Sequence, residues 1–203
     1  MKKLNFKKTS MMLAACAAFV FLAASCANEA EKKIVGDWEV EDSESIEIDE
    51  YTTADATITM NTTFKDDKTY TYEGEMTIDI PLDGYLEENE YISPADFYDL
   101  GIEFPTSIQF VCEFKGDGKW SATKDELKIE SGKFETEANW NSDGDDEIAQ
   151  TIIDESGLSQ SDFEEIVKAL PLTDNGTIKI KKLTDSILTF EGEDGTEMEF
   201  SKK

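Results

Sequence analysis

The chain has no arginine and no histidine among its 203 residues, and lysine supplies all 19 of its basic side chains. Without histidine, a Ser-His-Asp or Cys-His catalytic arrangement and a histidine-containing zinc site are impossible. Nucleic acid and anionic lipid are bound through Lys or Arg, whereas this chain carries 46 Asp and Glu. We therefore expect no His-dependent catalysis, no nucleic-acid partner and no attraction to anionic lipid. Paired carboxylates could hydrolyse a glycoside, but with 46 acidic residues a close pair is uninformative, and we expect a protein without enzymatic activity.

The first 25 residues have the pattern of an export signal. Four lysines within the first eight residues precede an uncharged, mainly apolar run over 11–25, as in the n-region and h-region of a signal peptide. That run of 15 residues is shorter than the about 20 apolar residues of a transmembrane helix. The pattern predicts a signal peptide over 1–25 that is removed.

The segment Leu22-Ala23-Ala24-Ser25-Cys26 resembles a lipobox, the site at which bacterial lipoproteins are acylated and cut. Small residues directly before the cysteine suit a tight protease site. The alternative is an ordinary secretory signal cut near Ala24, which leaves Cys26 as a free thiol. We favour a palmitate-bearing Cys26, a short polar tether over 26–33, and a lipid anchor in the outer membrane, on its periplasmic face or at the cell surface.

Residues 26–203 contain 15 Lys and 46 Asp and Glu, a formal charge of −31, and two cysteines, Cys26 and Cys112. If Cys26 carries lipid, Cys112 has no disulfide partner, so stability must come from a hydrophobic core. The 178 residues are enough for one such core. We predict a single domain over 34–203 and a monomeric protein.

Period-2 alternation of apolar and polar residues dominates this domain and is typical of half-buried antiparallel strands. Asp- and Gly-containing segments at 65–68, 115–118 and 193–195 predict hairpin turns. Eight or nine strands favour a mainly β fold, an up-and-down barrel or a sandwich, and we expect the barrel. The sets with this spacing are Ile46 and Ile48; Ile58, Met60 and Phe64; Tyr70 and Tyr72; Met76, Ile78 and Ile80; Ile108, Phe110, Cys112 and Phe114; Ile178 and Ile180; Leu188 and Phe190; Met198 and Phe200.

Two segments break the alternation. The acidic, Tyr-rich segment 81–105 contains Ser93-Pro94, which predicts a helix N-cap followed by Pro at the first helical position. Over 145–170 the apolar spacing becomes helical, with Ser161 and Glu164 as a predicted capping box and Pro171 as the stop. A small helical hairpin is therefore expected as an insertion late in the sheet.

Gly36-Asp37-Trp38, on the first predicted strand, resembles the Gly-x-Trp motif of lipocalins and bacterial lipocalin-like lipoproteins. The run 183–190 and the segment from Asp194 to Phe200 are similar to the closing hairpin of the bacterial family. In that family the Trp packs across the closed end of the barrel, where Gly lets the chain bend, and an Arg usually stacks on it. The resemblance implies a calyx that binds a small apolar or amphipathic molecule without catalysis.

The residues that would line such a calyx are the inward-facing aromatics, but the same side chains can equally form a packed core. If the barrel is filled, the alternative function is an envelope interaction protein that recognises its partner through the acidic segments 81–105 and 141–170. The candidate ligand-binding residues are Phe64, Tyr70, Tyr72, Phe110, Phe114 and Trp120.

The densest acidic loop, 141–147, is a candidate calcium site, because Ca²⁺ is held by several carboxylate and carbonyl oxygens. Its candidate ligands are Asp143, Asp145 and Asp146. A solvated loop that N-caps the following helix is the alternative, and a calcium-dependent envelope structure would be a third function. We expect no cofactor beyond this calcium, and we expect Cys112, between Phe110 and Phe114, to be a buried and unreactive thiol.

Overall fold

A computed structural model gives the fold and describes residues 26–47, 53–82, 101, 103–156, 159–168, 170–192 and 197–203. The predicted signal peptide, the Ser93-Pro94 N-cap and the predicted turn at 193–195 lie outside the described residues. Within those residues, none of the helices has the length and apolar character needed to cross a membrane.

Eight antiparallel strands form a closed barrel in which each strand pairs with its neighbours in sequence and β8 returns to β1. The predicted mainly β barrel is therefore confirmed. The elements, in chain order, are α1 (Cys26–Ile34), β1 (Gly36–Glu47), β2 (Thr53–Phe64), β3 (Thr69–Pro81), β4 (Ser107–Ala122), β5 (Glu126–Ser142), α2 (Asp146–Ser156), α3 (Gln160–Lys168), β6 (Gly176–Leu183), β7 (Ile187–Glu191) and β8 (Glu197–Lys202).

The strands differ in length, so the two ends of the barrel differ. Strands β1 to β5 have 12 to 17 residues, whereas β6 to β8 have five to eight. Strand β5 pairs with β6 only over Glu126–Ile129. We call the end that holds the start of β1 and the β2–β3, β4–β5 and β6–β7 turns the closed end. The opposite, distal end is where β1 to β5 extend past the short strands.

Helix α1 replaces the polar tether that the sequence predicted over 26–33. Ala30 and Ile34 on α1 are buried, with 5% and 0% of their surface exposed. Glu31 forms an ion pair with Lys68 in the β2–β3 turn, at 2.8 Å, and the Lys202 ammonium donates to the Lys33 carbonyl oxygen, also at 2.8 Å. The segment is a helix docked on the closed end, and the tether prediction is wrong.

Trp38 lies beneath α1, fully buried at the closed end. Its indole N–H donates to the Ile34 carbonyl oxygen, with a nitrogen–oxygen distance of 2.6 Å. The Lys202 ammonium lies 5.0 Å from the centroid of the Trp38 ring, so a lysine occupies the cation position over this ring. Gly36 has a φ of +132°, and an added Cβ would lie 2.6 Å from the Lys202 side chain, so the position favours glycine.

The predicted turn at 65–68 is observed, with the Lys68 N–H donating to the Lys65 carbonyl at 3.1 Å. The predicted turn at 115–118 is wrong, because β4 continues through it: Gly116 pairs with Phe134 and Gly118 with Ser131 on β5. The register shift between these pairs is a β-bulge.

The helical spacing over 145–170 corresponds to α2 and α3, which connect β5 to β6. The capping box of α3 lies two residues earlier than predicted. The Ser159 backbone N–H and hydroxyl donate to the Asp162 carboxylate at 3.0 and 2.7 Å, so the prediction of Ser161 and Glu164 is wrong. The reason is that α3 begins at Gln160, which puts Ser159 at its N-cap.

Candidate functional site

The six candidate ligand-binding aromatics all lie inside the barrel, each with at most 3% of its surface exposed. Alternation places them there, because they occupy same-face positions of β2, β3 and β4. Five of them form one continuous cluster: the ring centroids of Phe64 and Tyr70 are 5.8 Å apart, Phe64 and Trp120 5.3 Å, Tyr70 and Tyr72 5.8 Å, and Tyr72 and Phe114 6.4 Å. The sixth, Phe110, contacts a ring from outside the sheet.

Three glycines make room for these rings on the neighbouring strand. A Cβ added at Gly74 would lie 2.6 Å from the Phe114 ring, one at Gly118 2.6 Å from the Tyr70 ring, and one at Gly116 2.5 Å from the Tyr72 ring. The aromatic side chains therefore lie directly against the backbone of the next strand. At this level the protein's own side chains fill the interior.

The helical hairpin completes this filling from the distal end. Phe163 on α3 is 1% exposed, and its ring stacks on Phe110 with the centroids 4.0 Å apart. After α3 the chain places Leu172 in the core, and the Tyr70 hydroxyl donates to the Leu172 carbonyl oxygen at 2.7 Å. Phe163 and Leu172 were not predicted to lie in the barrel interior, although the apolar face of α3 was a signal for Phe163.

Two hydroxyl groups in the interior have no hydrogen-bond partner among the described residues, Thr62 Oγ1 and Tyr72 OH. They belong to directly paired residues of β2 and β3. A buried hydroxyl without a partner costs about 1–3 kcal/mol. Burial raises the pKa of Tyr72 to about 12, and the negative charge of Asp117 adds to this. Burial also raises the pKa of Tyr70, with Tyr72 and Asp117 as smaller causes.

We expect the raised pKa of Tyr72 to make the fold sensitive to alkali. The folded state favours the neutral phenol of Tyr72. This preference stabilises the fold fully below pH 10, the pKa of tyrosine in the unfolded chain, and the stabilisation is lost as the pH rises towards 12. The loss is about 2–3 kcal/mol for this residue. Urea unfolding between pH 9 and pH 12 (roughly the titration range of a tyrosine) measures it.

The Tyr72→Phe variant is the control for this prediction. It should lose less stability than the wild-type protein over the alkaline range, and at neutral pH it should be as stable or more stable, since no partner loses a hydrogen bond. A clear loss of stability at neutral pH would show that the hydroxyl is bonded, and the prediction would be wrong.

The three candidate calcium ligands have structural partners. Asp143 accepts hydrogen bonds from the backbone N–H groups of Thr106 and Ser107 at 2.7 and 3.1 Å. Burial alone would raise the pKa of Asp143, but these bonds and the bond from the Thr106 hydroxyl together outweigh burial, so the pKa is lowered. Asp145 N-caps α2 by accepting the Glu147 and Ile148 N–H groups. Asp146 accepts the Ser142 hydroxyl at 3.2 Å. The part of the chain that the structure describes has no group of three metal-binding side chains.

Cys112 lies on the inner face of β4 and is fully buried. Its sulfur is 3.1 Å from the Thr136 hydroxyl oxygen. Burial raises the pKa of the Cys112 thiol, and the hydrogen bond with Thr136 offsets only part of this effect. A buried, protonated thiol is a poor nucleophile, so this environment gives Cys112 no catalytic character.

The outer surface at the distal end is strongly acidic. The stretch 134–167 contains eleven Asp and Glu and no Lys. Where β5 meets α2 it has an open depression of about 540 Å³ whose lining includes Trp140, Asn141, Asp146 and Glu147. Trp140 is half-buried, in contrast to the buried Trp38 and Trp120.

No family model matches this chain, and no curated protein matches it in sequence. The structure shows a closed eight-stranded barrel, and the lipocalin-like resemblance stays a prediction.

Proposed function

We propose that this protein is a non-enzymatic envelope lipoprotein, anchored by lipid on Cys26, whose filled barrel is a scaffold that presents an acidic distal surface to a protein partner. The observation that carries this proposal is the packed interior. A calyx needs a cavity lined by its aromatic side chains, whereas here these rings contact one another and the backbone of the next strand.

The distal surface has the chemistry of a recognition surface for a basic protein. Exposed carboxylates of α2 and α3 include Asp146, Glu147 and Glu165. Lys168 at the end of α3 pairs with Glu164, and the eleven acidic residues of 134–167 otherwise far outnumber the neighbouring lysines. Such a field steers a basic partner and suppresses acidic ones. The half-buried Trp140 beside two of these carboxylates is a residue type that is enriched at interface hot spots.

Charge-matched variants test the recognition surface. The acylated protein is immobilised in detergent and exposed to envelope extract from the producing cell at low and at high salt. The double variant Asp146→Asn with Glu147→Gln should lose the bound protein, as high salt does, while the closed-end double variant Asp66→Asn with Asp125→Asn should retain it. Equal capture by the two double variants would contradict the proposal.

Lipidation has a separate test. Cys26→Ser should leave the protein in the soluble fraction and unlabelled by a fatty-acid probe, because one acyl-bearing residue supplies the whole anchor. Membrane retention together with labelling in this variant would overturn the lipid anchor. Retention without labelling would agree with acylation at Cys26 but would reveal another membrane contact, and the claim that the lipid supplies the whole anchor would be wrong.

A second candidate function is ligand binding inside the barrel, and the unpartnered hydroxyls of Thr62 and Tyr72 favour it. A guest would have to displace the α2–α3 hairpin and use these groups. Native mass spectrometry of the protein after incubation with a lipid extract measures this directly. A discrete added mass that is lost on unfolding would favour the calyx, and an unchanged mass would favour the filled scaffold.

A further inference from the structure

Cys26, the residue that we propose to be acylated, lies within helix α1, so the proposed anchor is attached to the helix itself. Four residues later the helix is already held by the barrel, with Ala30 buried. The Glu31–Lys68 ion pair and the bond from Trp38 to the Ile34 carbonyl fix its last turn. The closed end and the helix that carries the anchor therefore move together.

The lengths of these elements limit how the barrel can stand on a membrane. Cys26 and Ile34 are eight residues apart, which is about 12 Å along a helix. A strand as long as β5, with 17 residues, spans about 40 Å along the barrel axis when it is tilted by about 40°. We infer that the closed end of the barrel faces the phospholipid headgroups and that the distal end, with α2 and α3, points away. This inference rests on the proposed lipid anchor.

The distribution of charge agrees with this orientation. Helix α1 and the turn 65–68 together contain four Lys and four acidic residues, whereas 134–167 contains eleven acidic residues and no Lys. The closed end is therefore the less negative surface to place against anionic headgroups. In this orientation the distal carboxylates lie several Debye lengths of about 8 Å from the bilayer, so their repulsion is screened. The net charge of the chain does not reveal that the acidic residues are concentrated at the distal end.

The orientation can be measured with single fluorophores on the acylated protein, from Cys26 to Lys203, in phosphatidylglycerol-containing vesicles. Asp66→Cys and Lys124→Cys place the label at closed-end turns, and Glu165→Cys places it on α3. All three side chains are exposed, whereas the buried Cys112 should not react, which the labelling of wild-type protein checks. A headgroup-attached quencher should remove most of the emission at Asp66 and Lys124 and little of it at Glu165.

A linker variant tests the role of the docked helix without disturbing the fold. Twelve Gly and Ser residues inserted after Ala27 add a flexible span of about 20 Å and leave the docked residues from Ala30 onward unchanged. The difference in quenching between the closed-end and distal labels should then largely disappear. Equal quenching at all three positions in the protein without the insertion would overturn the inference.

The outcomes separate this inference from the proposed function. Protein that does not float with the vesicles and carries no acyl group would refute the lipid anchor, and with it the orientation. Protein that is acylated and floats with the vesicles but shows equal quenching would refute only the orientation. Distal quenching stronger than closed-end quenching would show that the barrel stands in the opposite direction.

Discussion

Replacing Phe163 with alanine is expected to lower the free energy of unfolding by about 3–5 kcal/mol. Phe163 is 1% exposed and stacks on Phe110 at 4.0 Å, so its removal leaves a cavity where α3 meets the barrel. The same change should create binding of a hydrophobic dye, because the distal end of the interior then becomes accessible. Urea unfolding followed by tryptophan fluorescence and dye titration at equal protein concentration measure the two effects.

Ile166→Ala is the matched control, since Ile166 lies on the same helix but is only partly buried. It should cost clearly less, about 1 kcal/mol, and it should not create dye binding. If Phe163→Ala bound dye with no loss of stability, the hairpin would be a dispensable cover over a binding cavity. That outcome would favour the calyx over the filled scaffold.

Most strands were predictable because a strand with one buried face repeats every two residues, a local property of the sequence. Strand β5 was not predicted, although it is the longest strand. Its inward positions include Leu127 and Ile129 before the register shift and Phe134 after it. A bulge adds a residue on one strand, so the alternation changes phase and no single period-2 set covers β5.

The turn predicted at 115–118 was wrong for a related reason. Asp and Gly together are the usual signal of a hairpin turn, but Gly116 and Gly118 lie within β4 opposite the rings of Tyr72 and Tyr70. A glycine in a strand also marks close approach of a neighbouring side chain. A hairpin turn and a close approach within a strand both select glycine, and only the position of the partner strand distinguishes them.

Which residues face inwards could be predicted, but whether the interior is filled could not. Filling depends on contacts between parts of the chain that are far apart in sequence. Tyr70 bonds to the Leu172 carbonyl 102 residues away, and Phe110 stacks on Phe163 across the α2–α3 hairpin. Periodicity assigns a face to each of these residues, but it carries no information on the volume that remains between them.

The cation over Trp38 is another contact between distant residues that the sequence pattern did not predict. In the family that the sequence resembles, an Arg usually stacks on this Trp, but the chain has no arginine. The register of β1 and β8 pairs Trp38 with Lys202, and the Lys202 ammonium lies 5.0 Å from the ring centroid. Lysine keeps the attraction of a cation to an aromatic face but lacks the planar guanidinium that stacks on it. Its ammonium is instead bonded to the Lys33 carbonyl of α1.

Trp38→Ala is expected to cost about 3–5 kcal/mol, the range for removing a large buried aromatic. Trp38 is fully buried, and its indole N–H holds the Ile34 carbonyl at the end of α1. The loss should therefore reach beyond the barrel and release α1. Urea unfolding measures the stability, and limited digestion with a lysine-specific protease at Lys32 and Lys33 measures the release of the helix, which should become faster in the variant.

Two further variants separate packing from hydrogen bonding at this position. Trp38→Phe keeps an aromatic ring but removes the indole donor, so it should cost less, about 1–2 kcal/mol, and still accelerate cleavage in α1. Trp140→Ala, at a half-buried tryptophan on the distal end, should leave cleavage in α1 unchanged and cost about 1 kcal/mol. A Trp38→Ala variant that destabilised the barrel but left Lys32 and Lys33 as protected as in the wild type would contradict this prediction. The helix would then be held by its buried Ala30 and Ile34, by the Glu31–Lys68 ion pair and by Lys202, without Trp38.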